Sequence, residues 1–390
     1  MTSISDALPA GGLVKDRTRT KEDSFDQQLN VVIEESSRGL REMQDTDGHW
    51  VFELEADATI PSEYILLKHF IDEIDPVLEQ KISVYLRECQ GDHGGWPLFY
   101  DGDFNLSASV KAYFALKLAG DDINAPHMER ARMAILAAGG AAKCNVFTRI
   151  TLALFGQVPW RAVPVMPIEI MHLPKWFFFH LSKISYWSRT VIVPLLILMT
   201  LKPKAINPGK INIRELFEIP PESEKHYLTN STGTWAGEFF LFFDKVLRQI
   251  EPYMPRRPRA RAIKKALIFV AERLNGEDGL GGIFPAMANT VMAFHTLEYA
   301  KDDEDFIIAK AAIEKLLVVE DNKAYCQPCL SPIWDTALAA QALLEVGDNK
   351  STTAAHSSLK WLKDRQVLDV AGDWADNRPD LRPGGWAFQF

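Results

Sequence analysis

A short phrase recurs along this chain at whole multiples of one length, and that regularity limits the fold more than any single motif does. Leu40 and Gln44 precede Gly48-x-Trp50; Leu86 and Gln90 precede Gly94-Gly95-Trp96; Leu362 and Gln366 precede Gly372-x-Trp374. A fourth stretch, Val270 and Leu274 followed by Gly281-Gly282, keeps the spacing but has neither Gln nor Trp. The glutamine-equivalent positions 44, 90, 274 and 366 are separated by 46 residues or by whole multiples of 46. A period of that size is the mark of stacked helix pairs. Period-two alternation is not sustained anywhere, whereas helical spacing is frequent, so the expected fold class is all-α.

The residue types suit helix ends. Glycine permits the positive-φ reversal that stops a helix. A glutamine amide can donate to orphan carbonyls of one helix and accept from free N–H groups of another. The indole can then cover the polar contact. A plain glycine-capped helix end would explain any one copy; it explains several on one period far less well.

Taken in order, residues 1–23 are polar with no apolar run, and are expected to be a mobile tail rather than a signal or an anchor. Ser24 to Met43 reads as a helix with Phe25, Leu29, Val32, Ile33 and Leu40 on one stripe. Helices are also expected over Pro61–Ile74, Pro76–Cys89, Ser107–Ala119 and Asn145–Phe155. Val158 to Leu201 is richer in Trp, Phe and Tyr and ends in the uncharged run Thr190–Leu201. That run is shorter than the roughly 20 apolar residues a bilayer span takes. Either a core helix or an apolar surface in one leaflet would account for it.

Arg256, Arg257, Arg259, Arg261, Lys264 and Lys265 form a basic cluster in a chain of net charge −9. A solvated helix start is the plainer reading, anionic headgroups the second. Asp302 to Asp305 reads as a helix N-terminus. The acidic balance gives nucleic acid no support as a partner. Four cysteines make no disulfide framework, and Cys326-x2-Cys329 has no second ligand pair, so reduced thiols and no metal are expected. No cofactor motif is present, and no cofactor is expected.

The phrases around Gln44–Trp50, Gln90–Trp96 and Gln366–Trp374 resemble the QW repeats of triterpene cyclases. C-Q-P-C-L-S-P-I-W-D-T from Cys326 to Thr336, G-D-W-A from Gly372 to Ala375 and P-G-G-W-A-F-Q-F from Pro383 to Phe390 are similar to phrases of bacterial squalene–hopene cyclases. The likeness runs from about Gln44 to Phe390. It implies one α/α barrel inserted into another: 24–58 with 331–390 in the first, 59–330 as the inserted second. It also implies a monotopic protein on the cytoplasmic face of the cell membrane, taking squalene or a similar polyprenoid from lipid, with a homodimer possible in the full-length parent. Part of Trp176–Leu201, including Leu195 and Leu198, is then expected to be an exposed apolar surface. In that family an Asp-x-Asp-Asp motif carrying the catalytic acid follows the last phrase within a few residues. It does not occur in this sequence, so the chain is expected to be an N-terminal part that ends before its acid and is inactive alone.

Polyene cyclisation needs aromatic faces, because lone pairs would trap a travelling carbocation. The resemblance places Trp187, Ile283, Phe284, Pro285, Trp334 and Phe388 at cavity positions, with Trp334 and Phe388 expected to share one apolar space. Asp335 is a possible supporting carboxylate. The alternatives are a lipid- or isoprenoid-binding α-barrel without turnover, and a prenyltransferase β-subunit, which would need an Asp, Cys and His zinc set that no stretch of the sequence supplies convincingly.

Overall fold

The computed structural model describes residues 15–388 except 178, 231, 232, 277, 370, 371, 373, 376, 377 and 379; for 15–23 and 275 it describes the backbone. The helices are α1 (Lys15–Glu42), α2 (Thr59–Ile71), α3 (Pro76–Glu88), α4 (Leu106–Leu118), α5 (Pro126–Ala137), α6 (Val146–Leu154), α7 (Tyr186–Leu201), α8 (Trp235–Ile250), α9 (Arg256–Ala271), α10 (Phe284–Thr296), α11 (Glu304–Glu314), α12 (Pro332–Val346) and α13 (Asn349–Asp364). Two antiparallel hairpins interrupt them: β1 (Leu274–Asn275) with β2 (Gly279–Leu280), and β3 (Leu317–Val319) with β4 (Ala324–Cys326).

Most starts have a local cause. Asp75, with Pro76 next to it, accepts from the N–H groups of Val77 and Leu78, and Asn105 and Asn145 accept from Ala108 and Thr148. Asp303 accepts from Phe306, so the acidic run does open a helix. Helix α1 begins nine residues before the expected Ser24; residues 1–14 of the expected tail lie outside the described residues.

Two hydrophobic cores result. In the larger, α2, α4 and α10 are buried around nearly their whole circumference, which makes them inner helices. Helices α3, α5 and α11 bury one face each against them as an outer layer, and α9 packs against α7. The smaller core gathers Trp50, Ala339, Ala340, Leu343 and Ala355, with Leu40 of α1 beside it. The chain passes between the cores twice, and the two passages are pinned together. Thr336 Oγ1 accepts from Trp50 N–H at 3.0 Å, Asp335 Oδ2 from Phe52 N–H at 2.9 Å, and Gln327 Oε1 from Leu54 N–H at 2.7 Å.

The repeat phrases make one bonding pattern. Gln44 Nε2 donates to Gly48 O at 2.8 Å and to Ala354 O of α13 at 3.0 Å, while Trp50 Nε1 donates to Leu40 O at 2.7 Å. Gln90 Nε2 donates to Gly94 O at 2.6 Å and His127 O of α5 at 2.9 Å, and Trp96 Nε1 to Leu86 O at 2.7 Å. The glutamine thus ties its own turn to the neighbouring helix, and the buried indole closes the helix end. Gly94, at φ +85°, lies where a Cβ would meet Arg130 O at 3.0 Å, so both backbone and space demand glycine.

Two expectations are corrected. In the third copy the tryptophan that completes the pattern is Trp386, not Trp374: Gln366 Nε2 donates to Gly384 O at 2.7 Å and Trp386 Nε1 to Leu362 O at 2.6 Å. The fourth copy has no helix end of this kind, because Leu274 lies in β1, paired with Leu280.

Candidate functional site

The N-terminal ends of α2 and α10 meet α4, α6 and α7 around a cavity of about 370 Å³. Its wall is mostly apolar, including Leu66, Ile150, Leu195 and Phe284. Phe284 is placed by backbone geometry as well as by packing. Its N–H donates to Pro328 O at 2.8 Å, and Ile283 bridges to Cys329, so the start of α10 is fastened to the segment that leaves the larger core. Pro285 follows at the first turn, where its missing N–H costs nothing.

One polar feature stands in this wall. Lys111 Nζ lies 2.5 Å from Glu63 Oε1, with Lys111 buried and Glu63 largely so. Each is the only charged residue in its apolar stretch, Thr59–Leu67 and Leu106–Leu116, and that isolation was the signal in the sequence that could have flagged them. Two charges in an apolar wall are tolerable because each neutralises the other.

The expected cavity residues divide into three groups, apart from Ile283, which bridges to Cys329 and does not line the cavity. Phe284 and Pro285 line the cavity. Trp187, at the start of α7, and Phe388 meet edge to face with ring centroids 5.0 Å apart and planes at 85°. Trp334 stands apart and is 61% exposed, so it does not share an apolar space with Phe388 among the described residues. The reason is helical phase: α12 turns Ile333, Thr336, Ala340 and Leu343 inward, and Trp334 follows Ile333 onto the outer face.

The neighbouring Asp335 is engaged on both oxygens. Oδ1 accepts from Ser331 Oγ–H at 2.9 Å and Oδ2 from Phe52 N–H. It pins the passage between the cores. Cys326 is buried, and burial pushes its thiol well above the usual range, as it does to a lesser extent for half-buried Cys329. Asp45, Asp47 and His49 bring possible ligand atoms within 4.8 Å of one another. Asp47 is already bonded to His49 Nδ1 and, at 3.0 Å, to Trp361 Nε1, which gives it a structural task in the repeat turn.

The exposed apolar surface is not where Leu195 and Leu198 were expected to put it. Those residues are 4% and 0% exposed, because Leu195 lines the cavity and Leu198 packs in the core. Trp176 is exposed, as expected. The larger surface belongs to α8, which buries none of its residues and exposes Trp235, Phe239, Phe240, Phe242 and Phe243. Phe179 packs on Phe240 and Phe243, joining the two patches. In sequence α8 has the apolar stripe of an ordinary core helix; only its packing distinguishes it. No described helix is long and apolar enough to cross a membrane.

Comparison with known proteins agrees with the likeness seen in the repeat phrases. The family model of the squalene–hopene cyclase N-terminal domain matches residues 33–322, and that of the C-terminal domain matches residues 330–390. The chain is 56% identical over 371 residues to a squalene–hopene cyclase of Zymomonas mobilis, covering 93% of this chain and 56% of that one. One from Bradyrhizobium diazoefficiens is 56% identical over 366 residues, covering 93% and 55%, and one from Alicyclobacillus acidocaldarius 34% over 357, covering 90% and 55%. The chain therefore spans a little over half the length of these relatives. The solved apo structure of a type II terpene cyclase from Scytonema aligns over 87% of this chain and 80% of its own, at 13% identity and a TM-score of 0.20, a likeness too slight to carry an argument.

Proposed function

The chain belongs to the squalene–hopene cyclase family, and from that premise we propose that it forms part of a class II polyene cyclase acting on squalene or a similar polyprenoid. An acid protonates a terminal alkene, and aromatic faces hold the resulting cation while rings close toward a hopanoid. The observation that carries this reading is the contact of Trp187 with Phe388, two rings from distant parts of the sequence brought to 5.0 Å. Ring quadrupoles stabilise a cation without offering it a lone pair to bond. The apolar wall behind Phe284 supplies the dry surroundings such a cation requires. The inner and outer helix layers of residues 59–330 are read as the inserted α/α barrel. Residues 24–58 and 331–390 are read as part of the first.

The 390 residues alone are proposed to be inactive. An alkene is a very weak base, and an ordinary carboxyl of pKa roughly 4 does not protonate it. Asp335, the carboxylate nearest the family phrase, has both oxygens committed to hydrogen bonds. Substrate is proposed to arrive from a bilayer in which α8 lies in the plane of one leaflet, its aromatic face inward.

The test compares the 390-residue chain with the same chain extended to the length of its relatives by their remaining sequence, each incubated with squalene. Cyclic triterpene from the extended chain only is the expected result. No product from a folded extended chain would overturn the cyclase reading. Turnover by the 390 residues would place the acid among the carboxylates present here.

A further inference from the structure

Two parts of the candidate site, the Trp187–Phe388 pair and the wall at Phe284, are carried by different elements, and one contact joins them. Trp187 lies in the first turn of α7, which Ser185 opens by accepting from Ser188 N–H at 3.2 Å. Phe284 begins α10, shortly after Gly281 in the turn that follows β2. Gly281 is buried against Thr190 of α7, which is itself fully buried. A Cβ on Gly281 would meet Thr190 Oγ1 at 2.7 Å and Thr190 Cβ at 3.1 Å, and the φ of +68° there also favours glycine. The turn therefore rests directly on the threonine side chain, with no space between them.

Thr190 passes that contact on to Trp187. Its Oγ1 donates to the Trp187 carbonyl at 2.9 Å, one turn back along the helix. A back-bond of this kind competes with the helical ladder and often bends it. The ladder is already open at this point, because Pro194, inside α7, has no N–H to give to the Thr190 carbonyl. A turn that lacks a helical bond takes its shape from its neighbours. Here the neighbour is α10, which packs along α7 and whose Asn289 Nδ2 also reaches Val191 O at 3.3 Å. The Thr190 hydroxyl thus faces two ways. On one side is the carbonyl of the residue whose ring meets Phe388, and on the other the backbone that leads into Phe284.

We propose that Thr190 is a positioning residue for polyene cyclisation: wedged between the Trp187 carbonyl and Gly281, it sets the spacing between the Trp187–Phe388 pair and the Phe284 wall. That spacing fixes which stretch of a folded polyene has a π face beside it while the positive charge moves. Thr190 is buried and is not one of the residues lining the cavity, so it acts through Trp187 and Phe284 and touches no substrate. This inference rests on the reading of these rings as the cation-bearing surface and adds what holds them.

The experiment begins with a reading that needs no turnover. In the 390-residue chain labelled with fluorotryptophan, the Trp187 fluorine resonance is assigned by its loss in Trp187→Phe, and Phe388→Leu shows where it moves without the partner ring. Thr190→Val, close in shape but without the donor, should carry the resonance a large part of that way. Thr190→Ser, which keeps the hydroxyl, should leave it near the wild-type position. Gly281→Ala should move it as well, and Thr190→Ala combined with Gly281→Ala should bring it part of the way back, because the new methyl takes space the threonine vacates. Should Gly281→Ala not fold, the Val and Ser variants decide. The second reading is squalene turnover by the chain extended to its relatives' length, where a misplacement of about 1 Å costs on the order of 100-fold in rate. For the smaller shift in Thr190→Val, kcat should fall about tenfold at unchanged KM, with products released before all rings close, and Thr190→Ser should restore both. An unmoved resonance in Thr190→Val, or a Gly281→Ala displacement that Thr190→Ala does not relieve, would overturn the positioning role whether or not squalene is cyclised. A moved resonance with wild-type kcat and products would overturn its bearing on the reaction. No product from a folded, extended wild type would instead overturn the cyclase reading, on which the resonance does not depend.

Discussion

Trp386 Nε1 donates to the carbonyl of Leu362 at 2.6 Å across twenty-four residues, the bond that Trp50 and Trp96 make to Leu40 and Leu86 across ten. The third copy of the repeat has absorbed an insertion of fourteen residues without giving up its closing contact. Trp374 lies within that insertion and makes no such bond. Val367 N–H, which donates to Gly385 O at 2.9 Å, reports on the closure. Trp386→Ala should speed hydrogen exchange at the Val367 amide about tenfold or more, the equivalent of losing roughly 1.5 kcal/mol of local protection. Trp374→Ala should leave it unchanged. Equal acceleration by the two substitutions would return Trp374 to the repeat.

The Glu63–Lys111 pair makes a prediction about stability. Removing one member of a buried pair leaves a charge without a partner and costs about 3–5 kcal/mol. Lys111→Met should destabilise the chain by about 3 kcal/mol, the low end, because Glu63 keeps partial access to the cavity. Glu63→Gln with Lys111→Met should recover much of that loss, since an amide needs no counter-charge. Urea unfolding of the four species in a double-mutant cycle measures the coupling. Additive losses would show the two side chains to be independent.

Much of this fold could be read from spacing. Helices α2, α3, α4 and α6 lie within about three residues of their expected limits because Pro, Asn and Asp at the starts and Gly at the stops act locally. What could not be read was which apolar stripe meets protein and which meets something else. Thr190–Leu201 and Trp235–Ile250 have the same kind of pattern; one is largely buried in α7, whereas α8 has no fully buried residue. Burial depends on neighbours far along the chain. Trp334 failed for the same reason, since helical phase beside Ile333 decides its direction. The insertion before Trp386 defeated a fixed spacing because a loop can lengthen while its ends stay joined.

Asp121 supplies a pH dependence of defined sign. Burial alone would raise its pKa, but Arg87 and His127, the latter with Nε2 2.6 Å from Oδ2, donate to its oxygens and hold the carboxyl below the usual range. A depressed folded-state pKa adds stability above the unfolded value of about 3.9, and that stability is lost as pH falls through the folded value. Asp121→Asn should therefore be less stable than wild type at pH 7, with the two urea midpoints converging as pH is lowered below about 4. A gap that stays constant down to pH 3 would show that the ion pairs of Asp121 contribute nothing to stability.

The contact between Trp187 and Phe388 carries the chemical prediction. The indole is 44% exposed and the phenyl ring half-buried, so both retain surface free for a ligand. A ring face toward a desolvated cation is worth on the order of 1–2 kcal/mol. Lost in the transition state alone, that is about a tenfold fall in rate for each 1.4 kcal/mol. In the chain extended to the relatives' length, Phe388→Ala should slow squalene consumption about tenfold or release products with fewer rings closed. Phe388→Tyr and Phe388→Trp, which keep a π face, should retain more activity than Phe388→Ala. Trp187→Ala should resemble Phe388→Ala, because each ring holds the other edge to face, whereas Trp334→Ala should act through whatever covers the outer face of α12. Wild-type rate and product pattern in Phe388→Ala would remove this ring from the cation's path and leave the pair as packing between α7 and the segment after α13.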